Sequence, residues 1–462
     1  MNTTPTAATR LGGFVAEFAQ TDLPPEVSEK AGVHLLDAVG LALIGAGERT
    51  AQAAKATSHK VASAAGTARI WGTEHSAVPA DAIFANAVAV HAHFHDDSEH
   101  SSWTHPGSFV VPVAICGGEA LNLAIKDALR AVAVGYATAY WLGAKQRVAS
   151  AMIARGVRTS PTLGTIAAAA TGAVLLRLDA AAAANAVAMA ASLTGGTLEP
   201  VRCGSDEWRA QNGSAAAVGW RCAQLASHGV CGAPLAFEGP KGLARSMAGL
   251  EEMPFEWQEP PPIGAILRSY VKRFATLGDN MPAARAAKLL HADGLDPSAI
   301  KRVTVGIWEP YTSYPGTSYR GPFETPVQAL ASTVFAVSAM LIYGELEYDK
   351  ASDHRADPRI LSLVQRVEVV AAEDATHLDA VVTVELNDDT QRRRRASEAP
   401  ITWLYPTAET ATQTFSERLG ASGHDAYAAK ELAGAVFNAK DSVEGTSVRL
   451  WLDALGRNSL GH

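Results

Sequence analysis

The chain is short of the residues and motifs that mark several large protein classes. It has only four cysteines in 462 residues, Cys116, Cys203, Cys222 and Cys231. None form a C-x-x-C pair, so no zinc ribbon or dithiol centre is written into the sequence, and they read as reduced thiols. Walker, G-x-G-x-x-G and G-x-S-x-G patterns are missing, which removes the signatures of P-loop, dinucleotide and nucleophile-elbow chemistry. Charged residues make up 19% and the net charge is −8, so there is no basic excess to hold nucleic acid. The basic run at 392–395 reads as a solvated strand end or interface. Apolar runs such as 167–176 are too short and alanine-rich to span a membrane. Residues 1–20 lack a basic segment followed by an apolar one. The expected compartment is the cytoplasm.

What is present is apolar material, 48% of residues, enough for a large core. From 26 to about 250 the chain is alanine-rich with helical period. The pattern predicts helices at 27–46, 80–93, 122–144, 162–178, 180–193 (Asp179 as N-cap) and 214–228. Alanine permits close approach, so these helices form a tight bundle. The segment 122–144 reads as core and is also compatible with a subunit interface. Residues 251–262 carry Pro254, Pro260, Pro261 and Pro262, a linker signature. Beyond them, strands are expected at 301–308, 367–372 and 380–386, and helices at 281–291 and 328–343. Helices at 409–419, 425–437 and 442–455 are expected to return to the first unit. The fold class is mainly α, a large all-helical domain plus a smaller α+β lid domain. The divisions are 1–262, 263–405 and 406–462.

The most unusual stretch is 91–108, HAHFHDDSEHSSWTHPGS. Five histidines, Asp96, Asp97 and Glu99 sit where a helix runs into a loop. These side chains move protons or bind metals near neutral pH. His91 and His95 on one helical face can ligate a metal with Asp96 or His100, but H-x-x-x-H without the zincin glutamate is a weak signal, and no metal is expected. The bland reading is that each histidine caps or braces the turn. Arg158, in GVRTSPTLG, is an anion clamp or a surface charge. Trp208 and Arg209, in DEWRAQNG, line a pocket or serve packing and capping. Lys272, in SYVKRF, reads by itself as a surface lysine.

The ordered set HDDS, THPGS, GYA, GTIAAAA, QNGSAA, EGPKGL and VKRF resembles the MmgE/PrpD family over nearly the whole chain. That family includes 2-methylcitrate dehydratases, cis-aconitate decarboxylases and iminodisuccinate epimerases. The resemblance implies a helical domain with a lid, a homodimer, no metal or organic cofactor, and a small carboxylate or polycarboxylate substrate. It makes His105 a proton donor, Lys272 and Tyr319 active-site groups from the lid side, and Asp97 the residue that orients His105. Asp96, Ser98 and Thr104 belong to the matching motifs and are expected to bind substrate. Three polar positions of the family are altered: an aspartate is Phe94, or His95 if the one extra residue before His105 is placed differently, a histidine is Arg158, and a lysine is Trp208 with Arg209 beside it. Gln211 replaces a further histidine. Arg158 and Arg209 keep positive charge, but arginine is no base at neutral pH and favours planar carboxylate clamping. The expected activity is that of a cofactor-independent lyase, a dehydratase or decarboxylase. The alternatives are an epimerase using two acid/base residues, or a family member that only binds a ligand.

Overall fold

The structure is a computed structural model and describes residues 5–439 and 446–457. Alanine and glycine set its first half. The Glu207–Ser227 helix packs on Thr159–Leu175, Pro79–Val90, Ala180–Leu193 and Gly107–Ala120. Where it crosses Thr159–Leu175, a Cβ on Gly219 would stand 2.5 Å from Ala168 Cβ and 2.6 Å from the Thr165 carbonyl. No larger residue fits at this crossing. Asp179 caps Ala180–Leu193 as its sequence suggests, its carboxylate accepting from the Ala182 N–H at 2.8 Å. Residues 7–18, outside any expected helix, form the Ala7–Phe18 helix on the outside of this bundle.

Several boundaries differ from expectation. Pro79–Val90 stops before His91, so no helical face joins His91 to His95. The fifth helix begins at Gly107 and carries Pro112 inside it. Glu207–Ser227 starts seven residues earlier than expected, which puts DEWRAQNG in its first two turns. The first half is also not wholly helical: Lys60–Val61, Ala68–Arg69 and Ser76–Ala77 form a small three-stranded sheet. The Ile125–Gly143 helix is buried within one chain on most of its faces, as a core helix. The proline-rich segment is no free linker. Trp257 is fully buried there, and its indole N–H donates to the Trp141 carbonyl at 3.1 Å.

A second core begins at Tyr270 and runs to Leu404. Its four-stranded sheet has the order Val367–Ala371, Ile300–Ile307, Val381–Leu386, Gln391–Arg395. The first pair is parallel and the other two antiparallel. Met281–Ala292 and Thr333–Tyr343 cover it. The expected helix at 328–343 is broken after Pro326–Leu330, because Ser332 caps Thr333–Tyr343 through the Phe335 N–H. The basic run is a full edge strand. Arg394 pairs with Asp293, and Arg395 with Asp374 and Asp379. Charge on an edge strand also discourages pairing with other chains.

The last helices, Ala408–Ala421, Ala428–Phe437 and Val448–Arg457, pack into the first core. Of the expected helix at 442–455, residues 442–445 lie outside the described residues. A buried ion pair, Arg418 to Asp37 at 2.7 Å, ties Ala408–Ala421 to Pro25–Gly45. Among the described residues no single helix is long and apolar enough to cross a membrane.

Candidate active site

The two cores meet at the turn that follows Pro79–Val90. Ser98 and Tyr270 exchange backbone hydrogen bonds of 2.9 and 3.0 Å, and Phe94 and Trp208 belong to the second core although they come from the first half. Phe94 holds a positive φ of 58°, a strained backbone state for a bulky residue. It turns its carbonyl to Lys272 Nζ at 2.8 Å, and the Thr276 carbonyl takes a second bond at 3.0 Å. Lys272 is almost fully buried. Burial lowers its pKa, and Asp96 and Asp97 oppose that shift.

Asp97 forms the floor. Its carboxylate lies 2.7 Å from His34 Nδ1, accepts from the Tyr136 hydroxyl, and takes the Gly107 N–H at 2.9 Å. Burial pushes its pKa up, but the bonds from His34, Tyr136 and Gly107 outweigh this and hold it below the usual value. The Asp97 carboxylate therefore does not touch His105. The backbone carbonyl of Asp97 accepts from His105 Nδ1 at 2.7 Å. That bond fixes the tautomer and leaves Nε2 as an acceptor. Burial and the Lys272 charge push the His105 pKa down to about 3. At neutral pH the ring is thus uncharged, with Nε2 open as an acceptor.

Asp96 faces the other way. One carboxylate oxygen lies 2.7 Å from His91 Nδ1, and the other has no hydrogen-bond partner. Burial raises its pKa. His91 Nε2 accepts from Arg158 at 2.7 Å, and Arg158 also donates to the Trp208 carbonyl at 2.6 Å and to Gln211 Oε1 at 2.9 Å. Burial lowers the Arg158 pKa to about 10. Trp208 is fully buried, 4.2 Å from the Phe94 ring and 4.6 Å from the His91 ring, and its indole N–H is unpartnered.

Other expected residues lie elsewhere. Arg209 follows Trp208 on the helix and lays its guanidinium over the Trp208 ring, 4.2 Å from the centroid. It donates to the Ala92 carbonyl and the Tyr348 hydroxyl, each at 2.9 Å, and braces the junction. Thr104 is spent inside the turn, pairing with Glu99 through the backbone and with Ser102 Oγ at 2.8 Å. Ser98 Oγ is 3.4 Å from His105 Nδ1. Tyr319 gives its hydroxyl to the Pro322 carbonyl at 2.5 Å. The tyrosine electrostatically coupled to Arg158 is Tyr314. The metal set suggested by the histidines does not form: His91 is engaged as above, His95 Nδ1 lies 3.9 Å from Glu347, and His100 stacks on His377 at 4.0 Å.

Asp279 carries no signal in the sequence, where it is one aspartate in a glycine-bearing loop. One of its oxygens is buried without a partner. Burial raises its pKa to about 7, against the pull of Lys272. Beside Lys272 a cavity of about 450 Å³ is lined by Asp37, His95, Arg273, Glu347 and Arg418 among others.

Two family models match the chain. The MmgE/PrpD N-terminal domain matches residues 9–256 and the MmgE/PrpD C-terminal domain matches 276–410. The chain belongs to the MmgE/PrpD family. It is also 26% identical over 412 residues to a cis-aconitate decarboxylase-like protein of Aspergillus oryzae, with 82% of this chain and 83% of the relative covered. In this member the family's paired aspartates serve two different networks, one on each side of the turn.

Proposed function

We propose that this MmgE/PrpD protein is a cofactor-independent lyase that moves a proton at a carbon next to a carboxylate of a small organic acid. The observation that carries the reading is His105: a buried neutral imidazole with Nδ1 tied to a carbonyl and Nε2 left as a base, beside a buried lysine. His105 Nε2 takes the proton. The Lys272 ammonium holds the carboxylate and stabilises the enolate-like charge. Asp279, half protonated near pH 7, supplies the acid that a leaving hydroxyl needs, a role Tyr319 does not fill while bonded to Pro322. Residues 263–405 act as the lid over this site.

Arg158 is already satisfied by three partners, and Phe94 and Trp208 are apolar. This favours an acid with fewer carboxylates than citrate-like substrates and a less polar flank. A lowered lysine pKa also favours a second reading, an epimerase in which Lys272 and His105 work on opposite faces. The relative's decarboxylase-like name supports the lyase. A homodimer belongs with this reading. The exposed Leu193, Leu225, Val230 and Leu235 offer a better face for it than the buried Ile125–Gly143 helix.

Proton NMR in D₂O against methylcitrate, cis-aconitate, citrate, iminodisuccinate and malate- or aspartate-like acids tests the proposal. New vinyl protons or loss of CO₂ support the lyase. Deuterium uptake with no loss of mass from water or CO₂ supports the epimerase. His105→Ala is expected to lower the rate by about 10²–10⁴. A folded His105→Ala variant with more than about a tenth of the native rate removes His105 from the chemistry.

A further inference from the structure

On the far side of the same turn, Glu48, His93 and Asp349 bring three ligand atoms within 4.8 Å of one another. Glu48 precedes the Arg49–Thr57 helix, His93 sits in the turn after Pro79–Val90, and Asp349 belongs to Tyr348–His354 of the second core. His93 is only 7% exposed, and its Nε2 is buried without a hydrogen bond. Glu48 Oε1 lies 3.4 Å from that nitrogen, too long for a good hydrogen bond. It is close to the separation of about 3.4 Å between two ligands of a tetrahedral ion with bonds of about 2.0–2.1 Å. The His93 ring is held by stacking on Tyr348, with centroids 4.5 Å apart and planes 12° apart. The Tyr348 hydroxyl is in turn fixed by Arg209 at 2.9 Å. An oriented imidazole and two carboxylates suit a borderline divalent ion and balance its charge.

We propose that Glu48, His93 and Asp349 form a site for a divalent transition metal ion such as Zn²⁺, with water completing the shell. The ion joins the helical unit to the second core next to the turn that carries Phe94, and so acts as a clip between the units rather than a reacting centre. Its counterforce is the Arg209 guanidinium, whose charge also reaches Glu48.

Tag-free, chelator-treated full-length protein is titrated with ZnCl₂ by calorimetry and with CoCl₂ by visible absorption. The expected result is one ion per chain with a Kd of about 10 µM or lower, a Co²⁺ d–d spectrum with nitrogen and oxygen ligands, and a rise in Tm with added ion. Asp349 is exposed, so Asp349→Asn should fold normally and weaken binding by about tenfold or more. His93→Gln should abolish the binding, and Glu48→Gln should weaken it. If His93→Gln does not fold, Asp349→Asn and Glu48→Gln decide. No uptake at about 100-fold above that Kd, or uptake unchanged in the folded variants, overturns the site. The three side chains would then form only a polar contact between the two units.

Discussion

Asp96 and Asp97 are neighbours in sequence, equally buried, and opposite in surroundings. The Asp97 carboxylate meets a ring, a hydroxyl and a backbone N–H, and its pKa falls. Asp96 meets one ring with one oxygen and has no well-formed hydrogen bond to the other, and burial raises its pKa against the pull of His105, Lys272 and the Ser108 hydroxyl. Buried charge is tolerable when every lone pair is answered, and is pushed toward neutrality when it is not. The satisfied side of the turn is therefore scaffold. On the other side, the Asp96 oxygen and the Trp208 N–H are buried without a hydrogen-bond partner, and so, beside Lys272, is an oxygen of Asp279.

The comparison can be broken by mutation, and the largest effect should come from the scaffold. Asp97→Ala strands His34, Tyr136 and the Gly107 N–H, and should cost about 3–5 kcal/mol in chemical denaturation. If it cost no more than Asp96→Ala, the division between the two sides would fail. Tyr136→Phe removes one bond to a charged acceptor and should cost about 1.5–3 kcal/mol by the same measurement. Asp96→Asn, which removes a charge the site already disfavours, should cost less than about 1 kcal/mol of stability. Turnover should nevertheless fall in this variant, because the His91–Arg158 chain loses its anchor.

The pH dependence sharpens the same contrast. Asp279 has a raised pKa, so the folded state keeps a proton that the unfolded chain releases. Its contribution to stability is present below about pH 4 and is lost as pH rises through about 7. As an acid it is active when protonated, so turnover should fall above about pH 7 and Asp279→Asn should remove that limb. His105 has a lowered pKa, so its neutral form persists on acidification and no loss of rate should appear near pH 6.5 on its account. Its stability effect has the opposite sign to Asp279: stability is lost as pH falls from the ordinary histidine range toward about 3. A bell centred on the ordinary histidine value would contradict this assignment. The smallest effect is on the edge strand, where Arg394→Ala should leave the denaturation midpoint essentially unchanged, since exposed pairs contribute little.

Much of this was legible from the chain. The alanine periodicity gave the bundle helices, Asp179 its cap, and the β-branched alternation three of the four strands of the larger sheet. The density of histidine and carboxylate at 91–108 marked the turn that joins the two cores. Lys272 was legible only through resemblance, since one lysine after a linker has no local signature. The edge strand Gln391–Arg395 was hidden because four consecutive arginines carry no alternation, and its start at Gln391 depends on pairing with Val381–Leu386. Asp279 was hidden because its meaning comes from burial beside Lys272, and burial is not a property of a lone aspartate in a loop.

The sequence by itself determined which helices exist, where the apolar material lies, the family, and which short stretch concentrates proton-moving groups. Periodicity and composition are local and survive without a fold. Only the tertiary structure decided that Arg209 braces a junction while Trp208 fills the site, that the Asp97 carbonyl rather than its carboxylate holds His105, and that two adjacent aspartates are pushed in opposite directions. Each of these depends on partners far away in the chain, because hydrogen-bond satisfaction and desolvation are set by what packs around a group.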